Sequence, residues 1–281
     1  MRIIDRKSIK RLSRTVAREG LKGFLRWLFP KINRQAIFIF GNEKSGTTAI
    51  AALLATYGGL TQTLDLPWRS SMVRDQDCLH SGKLSFDEFV EKYKFEFSSE
   101  LIKEPALTFL YEQVAEVFTL SKAVFVVRDP RDNIRSILNR VKIPGNLERL
   151  TSMDTIKPAW QPVIDNRWLG LENEHYVNSL SARWNCAADV YFAHDDKLLL
   201  VRYEDFVADK IGTIERLAKA LGISKVNDIS DQLDVQYQPR GNRDVNLNEF
   251  FGLENMTRIE KICGSRMQRF GYAISMPPRT N

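Results

Sequence analysis

Gly41-Asn-Glu-Lys44-Ser45-Gly46-Thr47-Thr48 packs one lysine, three hydroxyls and two glycines into a single short segment. That combination suits an anion. Backbone N–H groups at the start of a helix point at a ligand, Gly46 admits it without side-chain obstruction, and the hydroxyls and the Lys44 ammonium add donors. The glycines keep the spacing of the nucleotide-triphosphatase loop G-x-x-x-x-G-K-[ST], but Thr47 stands where its lysine belongs. Here the lysine has moved inside the loop, to position 44. A magnesium-dependent kinase or NTPase needs the lysine directly after Gly46, so the displacement counts against that class. The other reading of the segment is a tight strand–helix turn with no ligand. A second cluster runs Val124-Phe-Val-Val-Arg128-Asp-Pro-Arg131-Asp132-Asn-Ile-Arg135-Ser136. Arg128 closes an apolar run, Pro130 stops it, Asp132 is placed to cap a helix, and Ser136 follows one turn further in. Arg128 and Ser136 can thereby converge on one anion, the fork of the first and the hydroxyl of the second. Alternatively the segment is a capped helix with solvated arginines.

Both clusters need elements to position them. Residues 36–40, 123–127 and 198–201 are short β-rich apolar runs, with a weaker one at 101–103 that ends before Pro105. Helical patterns lie between them, at 49–57, 106–118, 132–140, 179–193 and 211–221. Strands alternating with helices predict an α/β fold, a central parallel sheet flanked by helices, with the loop 41–48 at its first strand–helix turn. Ligands of such sheets bind beyond the carboxyl ends of the strands, which is where Arg128 should stand. Residues 141–178 hold three prolines, Trp160 and Trp168 and little periodicity, and an insertion of this kind is more often functional than filler. With Trp68, these tryptophans are candidates to stack on an acceptor, or else belong to the core.

Composition narrows the setting. In 281 residues, 43% are hydrophobic and 27% charged, enough for a packed core and too apolar for a disordered chain. No apolar run approaches the roughly 20 residues of a membrane span, and no apolar segment follows the charged start as in a secretory signal. Cys78, Cys186 and Cys263 are odd in number and not metal-spaced, which predicts a reducing, cytoplasmic setting without a disulfide frame or a metal site. Eleven Lys and Arg stand in residues 1–34 against Asp5 and Glu19, a charge of +9. The whole chain carries +6, so the other 247 residues sum to −3. The body is therefore not basic, which argues against nucleic acid as a partner. Within the arm, Ile9, Leu12, Val16, Leu21, Phe24, Leu25 and Leu28 recur at helical spacing, interrupted by Gly20 and Gly23. Two short basic amphipathic helices are expected, either lying on an anionic membrane surface or packed on their own domain. The expected division is an arm, 1–34, and a domain, 35–281.

Taken together, Lys44-Ser-Gly-Thr-Thr48 and Arg128-Asp-Pro-Arg-Asp-x-x-x-Ser136 resemble the two signature motifs of the PAPS-dependent sulfotransferase family. The resemblance runs on in the family's order through Tyr203-Glu-Asp-Phe206, Pro239-Arg240-Gly241-Asn-Arg243 and Ile259-Glu260…Met267…Phe270-Gly-Tyr272, spanning residues 36–272. It implies a P-loop-like fold and transfer of a sulfonate from 3′-phosphoadenosine 5′-phosphosulfate (PAPS) to an acceptor hydroxyl, leaving PAP, without metal. The acceptor would be a small molecule, a glycan or a natural product. By resemblance Lys44, Ser45, Gly46, Thr47 and Thr48 hold the 5′-phosphosulfate, and Arg128, Ser136, Arg240 and Gly241 reach the 3′-phosphate. Tyr203 would lie near the adenine. Lys103-Glu104-Pro105 resembles the Lys-x-His pair of cytosolic members, with Pro105 in the place of the histidine that serves as base. Other branches use a glutamate, so Glu104 is the expected base, with His80 and Asp65 as alternatives; Lys44, stabilising the leaving group, and Lys103 are expected to be catalytic with it. Two rival readings stay open at this level: a P-loop nucleotide kinase or NTPase, and an inactive nucleotide-binding protein held at a membrane by its arm.

Overall fold

The computed structural model describes residues 19–66, 70–121, 123–171, 175–237 and 245–274. It opens with a helix, α1 (residues 19–28), and continues β1 (Ile37–Phe40), α2 (Thr47–Gly58), β2 (Gln62–Thr63), α3 (Ser70–His80), α4 (Phe86–Lys92) and β3 (Leu101–Lys103). Next come α5 (Tyr111–Val117), β4 (Ala123–Val127), α6 (Pro130–Val141), α7 (Gln161–Asp165) and α8 (Tyr176–Ala193). β5 (Leu198–Arg202), α9 (Tyr203–Ala208), α10 (Lys210–Leu221) and α11 (Leu247–Arg269) complete the order. The strands form one sheet in the order β2-β3-β1-β4-β5, every pair parallel. This is the expected α/β architecture.

The apolar runs are continuous because both faces of the sheet are covered. Phe38, Phe40, Phe125 and Val127 pack on one face against α5, α6, α8 and α11, while Ile39, Val124 and Val126 face α2 and α10. The chain runs outward from β1 in both directions, to β3 and β2 on one side and to β4 and β5 on the other. The strand order therefore reverses at β1, and a crevice opens beyond its carboxyl end.

Among the differences from the sequence reading, which include starts two and three residues earlier for α2 and α8, three have a clear local reason. β2 is a two-residue strand, too short to leave a periodic signal, held by its pairing with β3. The expected helix at 106–118 divides into a 3-10 turn, Pro105–Leu110, and α5, because Pro105 starts the turn and Glu104 caps it. α6 begins at Pro130, two residues earlier than expected: Asp129, and not Asp132, is its cap, accepting from Arg131 N at 2.9 Å, and Pro130 takes the first helical position. Asp132, freed from capping, pairs with Arg135 at 2.6 Å and lies 3.8 Å from Arg128.

At the other end of the sheet the described part of the arm packs on the domain. Arg26 donates to Phe95 O and to Ser99 Oγ, Asn33 N to Phe97 O, and Arg34 to Val117 O. Gly20, in the first turn of α1, has φ +57, whereas Gly23 stays in regular helix and is buried; the first of the two expected helices lies outside the described residues.

Candidate active site

Beyond the carboxyl ends of the strands lies a cleft of about 590 Å³. All five strands feed it: the loop after β1 with Lys44, Gly46, Thr47 and Thr48, the turn after β2 with Asp65, the end of β3 with Lys103 and Glu104, the end of β4 with Arg128, and the start of α9 with Tyr203. Ser136, from the second turn of α6, joins them. Residues as far apart in sequence as Lys44 and Tyr203 thus meet in one place.

The loop before α2 is held by a second layer of residues that sequence reading does not reveal. Glu43 accepts from Nε and Nη2 of the buried Arg183, at 2.9 and 2.6 Å. Asn133 donates to Glu43 O at 2.8 Å and to Ser45 Oγ at 3.0 Å, and it accepts from Asn42 at 2.9 Å. Thr108 Oγ1 accepts from Gly41 N at 2.9 Å and donates to Gly41 O at 3.1 Å. These contacts fix the loop before any ligand arrives, which lowers the ordering cost of binding. They also turn the Ser45 hydroxyl away from the cleft, so a ligand would meet this residue through its backbone only.

Lys44 has φ +67 and Gly46 φ +95, both in the left-handed region. The two turns deliver Thr47 and Thr48 as the first residues of α2, whose N-terminus carries no side-chain cap and no acidic residue. Its leading N–H groups are left for an anion, with the helix dipole behind them. A Cβ on Gly46 would collide with the ring of Tyr203. That ring in turn stacks under the Arg128 guanidinium at 4.6 Å, and Arg128 donates to Lys44 O at 3.2 Å. Gly46→Ala is accordingly expected to destabilise the protein by roughly 1–3 kcal/mol through the left-handed strain alone, and by more once Tyr203 is displaced. A thermal melt several degrees below wild type is the check.

Cations dominate the cleft. Besides Lys44, Lys103 and Arg128 it is lined by Arg135, Arg140, Lys157 and Lys210, of which Arg135 is paired with Asp132 at 2.6 Å and Lys210 with Asp234 at 2.7 Å. Arg140 lies four residues beyond Ser136, so helical spacing carried a signal for it; Lys157, in the proline-rich insertion, left none. Burial, then Arg140, Arg128 and Lys103, lower the Lys44 ammonium to about 8. Such crowding is the mark of a site arranged for a polyanion. Arg128 Nε is buried and has no hydrogen-bond partner among the described residues, a donor in wait for an acceptor.

On the β3 side two carboxyls share the cleft. Glu104 is 1% exposed; its oxygens accept from Leu66 N at 2.9 Å and Ala106 N at 3.2 Å. Burial and then the neighbouring Asp65 raise its carboxyl to about 8, opposed by Lys103. Lys103 is itself buried and donates to Asp65 Oδ1 at 2.5 Å. Asp65 keeps a side chain 44% exposed.

The remaining candidates fall elsewhere. His80 is not a cleft residue: its ring stacks on Trp168 at 4.9 Å, and burial with Arg183 nearby lowers it to about 4. Trp168 donates to Asp77 at 2.6 Å, away from the cleft, whereas Trp160 lines it beside Arg140. His175 caps α8 and His194 meets Glu112. Arg240, Gly241, Arg243 and Trp68 lie outside the described residues. No group of three His, Cys, Asp or Glu side chains suited to a metal ion occurs among the described residues.

Residues 34–261 match the sulfotransferase domain family. No curated protein sequence matches the chain. Among solved structures, sulfotransferase STF9 from Mycobacterium avium aligns with a TM-score of 0.53 at 11% identity, covering 97% of this chain and 88% of that one. The sulfotransferase domain from the curacin biosynthetic pathway aligns with a TM-score of 0.50 at 13% identity, covering 87% and 100%. At these identities the solved structures speak for the fold. The family match covers most of the chain, including the segments 41–48 and 124–136 and the carboxyls of the cleft, and on that ground the chain belongs to the sulfotransferase family and is an enzyme of sulfonate transfer.

Proposed function

We propose that the donor is PAPS and that its sulfonate passes to a hydroxyl of the acceptor, with PAP as the product. One observation carries the reading: a single cleft holds two anion-receptive ends, the uncapped start of α2 with Lys44, Thr47 and Thr48, and the Arg128–Ser136 pair. An adenosine with phosphates at both 5′ and 3′ positions is a ligand with two such ends. Thr47 and Thr48 would hold the 5′-phosphate, and Arg128 with Ser136 the 3′-phosphate, through bidentate geometry that a lysine cannot offer. Arg240 and Gly241 belong to the same assignment by resemblance. Tyr203, Phe206, Val207 and Leu233 form the apolar wall expected for the base.

When bound, PAPS supplies an activated sulfonate; the chain supplies position and charge. Lys44 keeps a positive charge where the leaving phosphate oxygen gathers negative charge. Glu104 accepts the proton of the acceptor hydroxyl, its raised carboxyl matching the range in which a general base works best. Lys103 moderates that carboxyl and holds Asp65 beside it. Trp160 and Arg140 flank the side from which an acceptor enters. Contact with a membrane surface through residues 1–34 is part of this reading, and it rests on a separate feature, the outward face of α1.

Ligand-induced thermal stabilisation tests the donor assignment. A ligand at one hundred times its dissociation constant stabilises by about 2.7 kcal/mol, so PAP is expected to raise the melting temperature well above the effect of ADP or of ATP with magnesium. Arg128→Ala should abolish that advantage. Equal stabilisation by ATP–magnesium and PAP would refute the donor assignment.

A further inference from the structure

α1 is an amphipathic helix set inside out. Its polar side faces the protein: Arg26 donates to Phe95 O at 2.9 Å, Ser98 Oγ at 3.2 Å, Ser99 Oγ at 2.7 Å and Glu19 Oε2 at 2.8 Å, and lies 4.5 Å above the Phe95 ring. Gly23 is buried between helix and domain. The apolar side faces outward. Leu21 is 72% exposed, Leu25 49%, Leu28 46% and Phe29 69%, with Phe24 at 39%. At steps of three and four residues these five share one stripe.

The orientation has a physical cause. A guanidinium buried to this extent needs partners for its charge; the carbonyl and hydroxyls just before β3 meet Nη1 and Glu19 meets Nη2, while Nε has no partner among the described residues. What remains is a contiguous apolar patch in water, of a kind that usually marks an interaction site. Charge selects the occupant. The stripe belongs to a segment carrying +9, with Lys22 and Lys31 exposed at its two ends, whereas the rest of the chain carries −3. A second copy would set like charge against like charge. A bilayer rich in anionic lipid satisfies both features, apolar side chains below the headgroups and cations among them.

We infer that α1, with the cations of residues 1–34, seats the enzyme peripherally on an anionic lipid surface. Its contacts with residues 95–99 and with Gln62 put α1 at the amino ends of the strands. The cleft opens beyond their carboxyl ends, so the docked chain turns its cleft away from the lipid and keeps it open to solvent.

Co-sedimentation of the full chain with phosphatidylcholine vesicles, with and without phosphatidylserine, tests this. Binding is expected only with phosphatidylserine, and weaker at high salt as the charge is screened. The double variant Leu25→Gln/Leu28→Gln should lose roughly tenfold or more in affinity while its turnover of a soluble acceptor stays at the wild-type rate. Removing residues 1–18, and seven cations with them, should also weaken binding. The inference is overturned if the full chain ignores phosphatidylserine vesicles or if the double variant binds them as well as wild type does. It is equally overturned if removal of residues 1–18 strengthens binding, which would make that segment the cover of the stripe. A solution dimer that the double variant dissolves, without vesicle binding by either form, would make a second copy the occupant.

Discussion

Lys44→Met is expected to lower kcat by about 10²–10³, the usual cost of removing one donor from a site of developing negative charge. The loss should fall on kcat more than on the dissociation constant of PAP, because the other end of the cleft and the N–H groups of α2 remain. It should not come from unfolding. Burial and the neighbouring cations lower the Lys44 ammonium to about 8, so its charge is less favourable in the folded protein than in the unfolded chain, and methionine removes that cost. The left-handed backbone at position 44 treats lysine and methionine alike. A melt at or above the wild-type temperature, together with the fall in kcat from initial rates, is the expected pair of results. Retained turnover would remove Lys44 from the chemistry. The same shift predicts proton uptake when PAP binds near pH 8, since an anion beside the ammonium favours its charged form; calorimetry in buffers of different ionisation enthalpy measures it.

Glu104→Gln is expected to cost about 10²–10⁴ in kcat, the span of a positioned general base. In the wild-type enzyme the base must be deprotonated, so kcat/KM should fall as pH drops below about 8. That acid limb should be missing from the residual activity of the variant. Stability carries the same signature. A carboxyl raised in the folded state binds its proton more tightly there, so wild-type stability declines as pH climbs from the ordinary carboxyl range to about 8, and the glutamine variant lacks this decline. The substituted amide has one carbonyl oxygen for the two N–H donors of Leu66 and Ala106. One unmet donor is worth on the order of 1–3 kcal/mol, so PAP-induced stabilisation should be measured alongside to show the fold intact. Near wild-type turnover with PAP still binding would shift the role to Asp65, the exposed carboxyl of the same cleft.

Much of this enzyme can be read along its chain, because the relevant physics is local. A strand, a loop with glycine at the point of close approach and a helix follow one another directly at 37–58, and each step leaves its own residue preference. Arg128 at a strand end, Pro130 at the first position of a helix and Ser136 in its second turn are likewise set by neighbours a few positions away. Hence the parallel α/β sheet and the placement of segments 41–48 and 128–136 at its edge are legible from residue order, and the family resemblance rests on the same segments.

Other features exist only once distant segments meet. Arg183 reaches Glu43 across 140 positions and Asn133 reaches Ser45 across 88, and it is these contacts that turn the Ser45 hydroxyl inward. His80 has the chemistry of a base, but packing sets it against Trp168 instead of the cleft. Lys103 matches the family's lysine in sequence, but only the turn after β2 brings Asp65 to it. In α1 the hydrophobic pattern predicts an amphipathic helix and says nothing of which side is buried; the hydroxyls and carbonyl before β3 decide that, by accepting from Nη1 of Arg26. Local sequence sets backbone conformation and periodicity, while the burial of a charge, the partner of a carboxylate and the direction of a side chain depend on which surfaces the fold presses together.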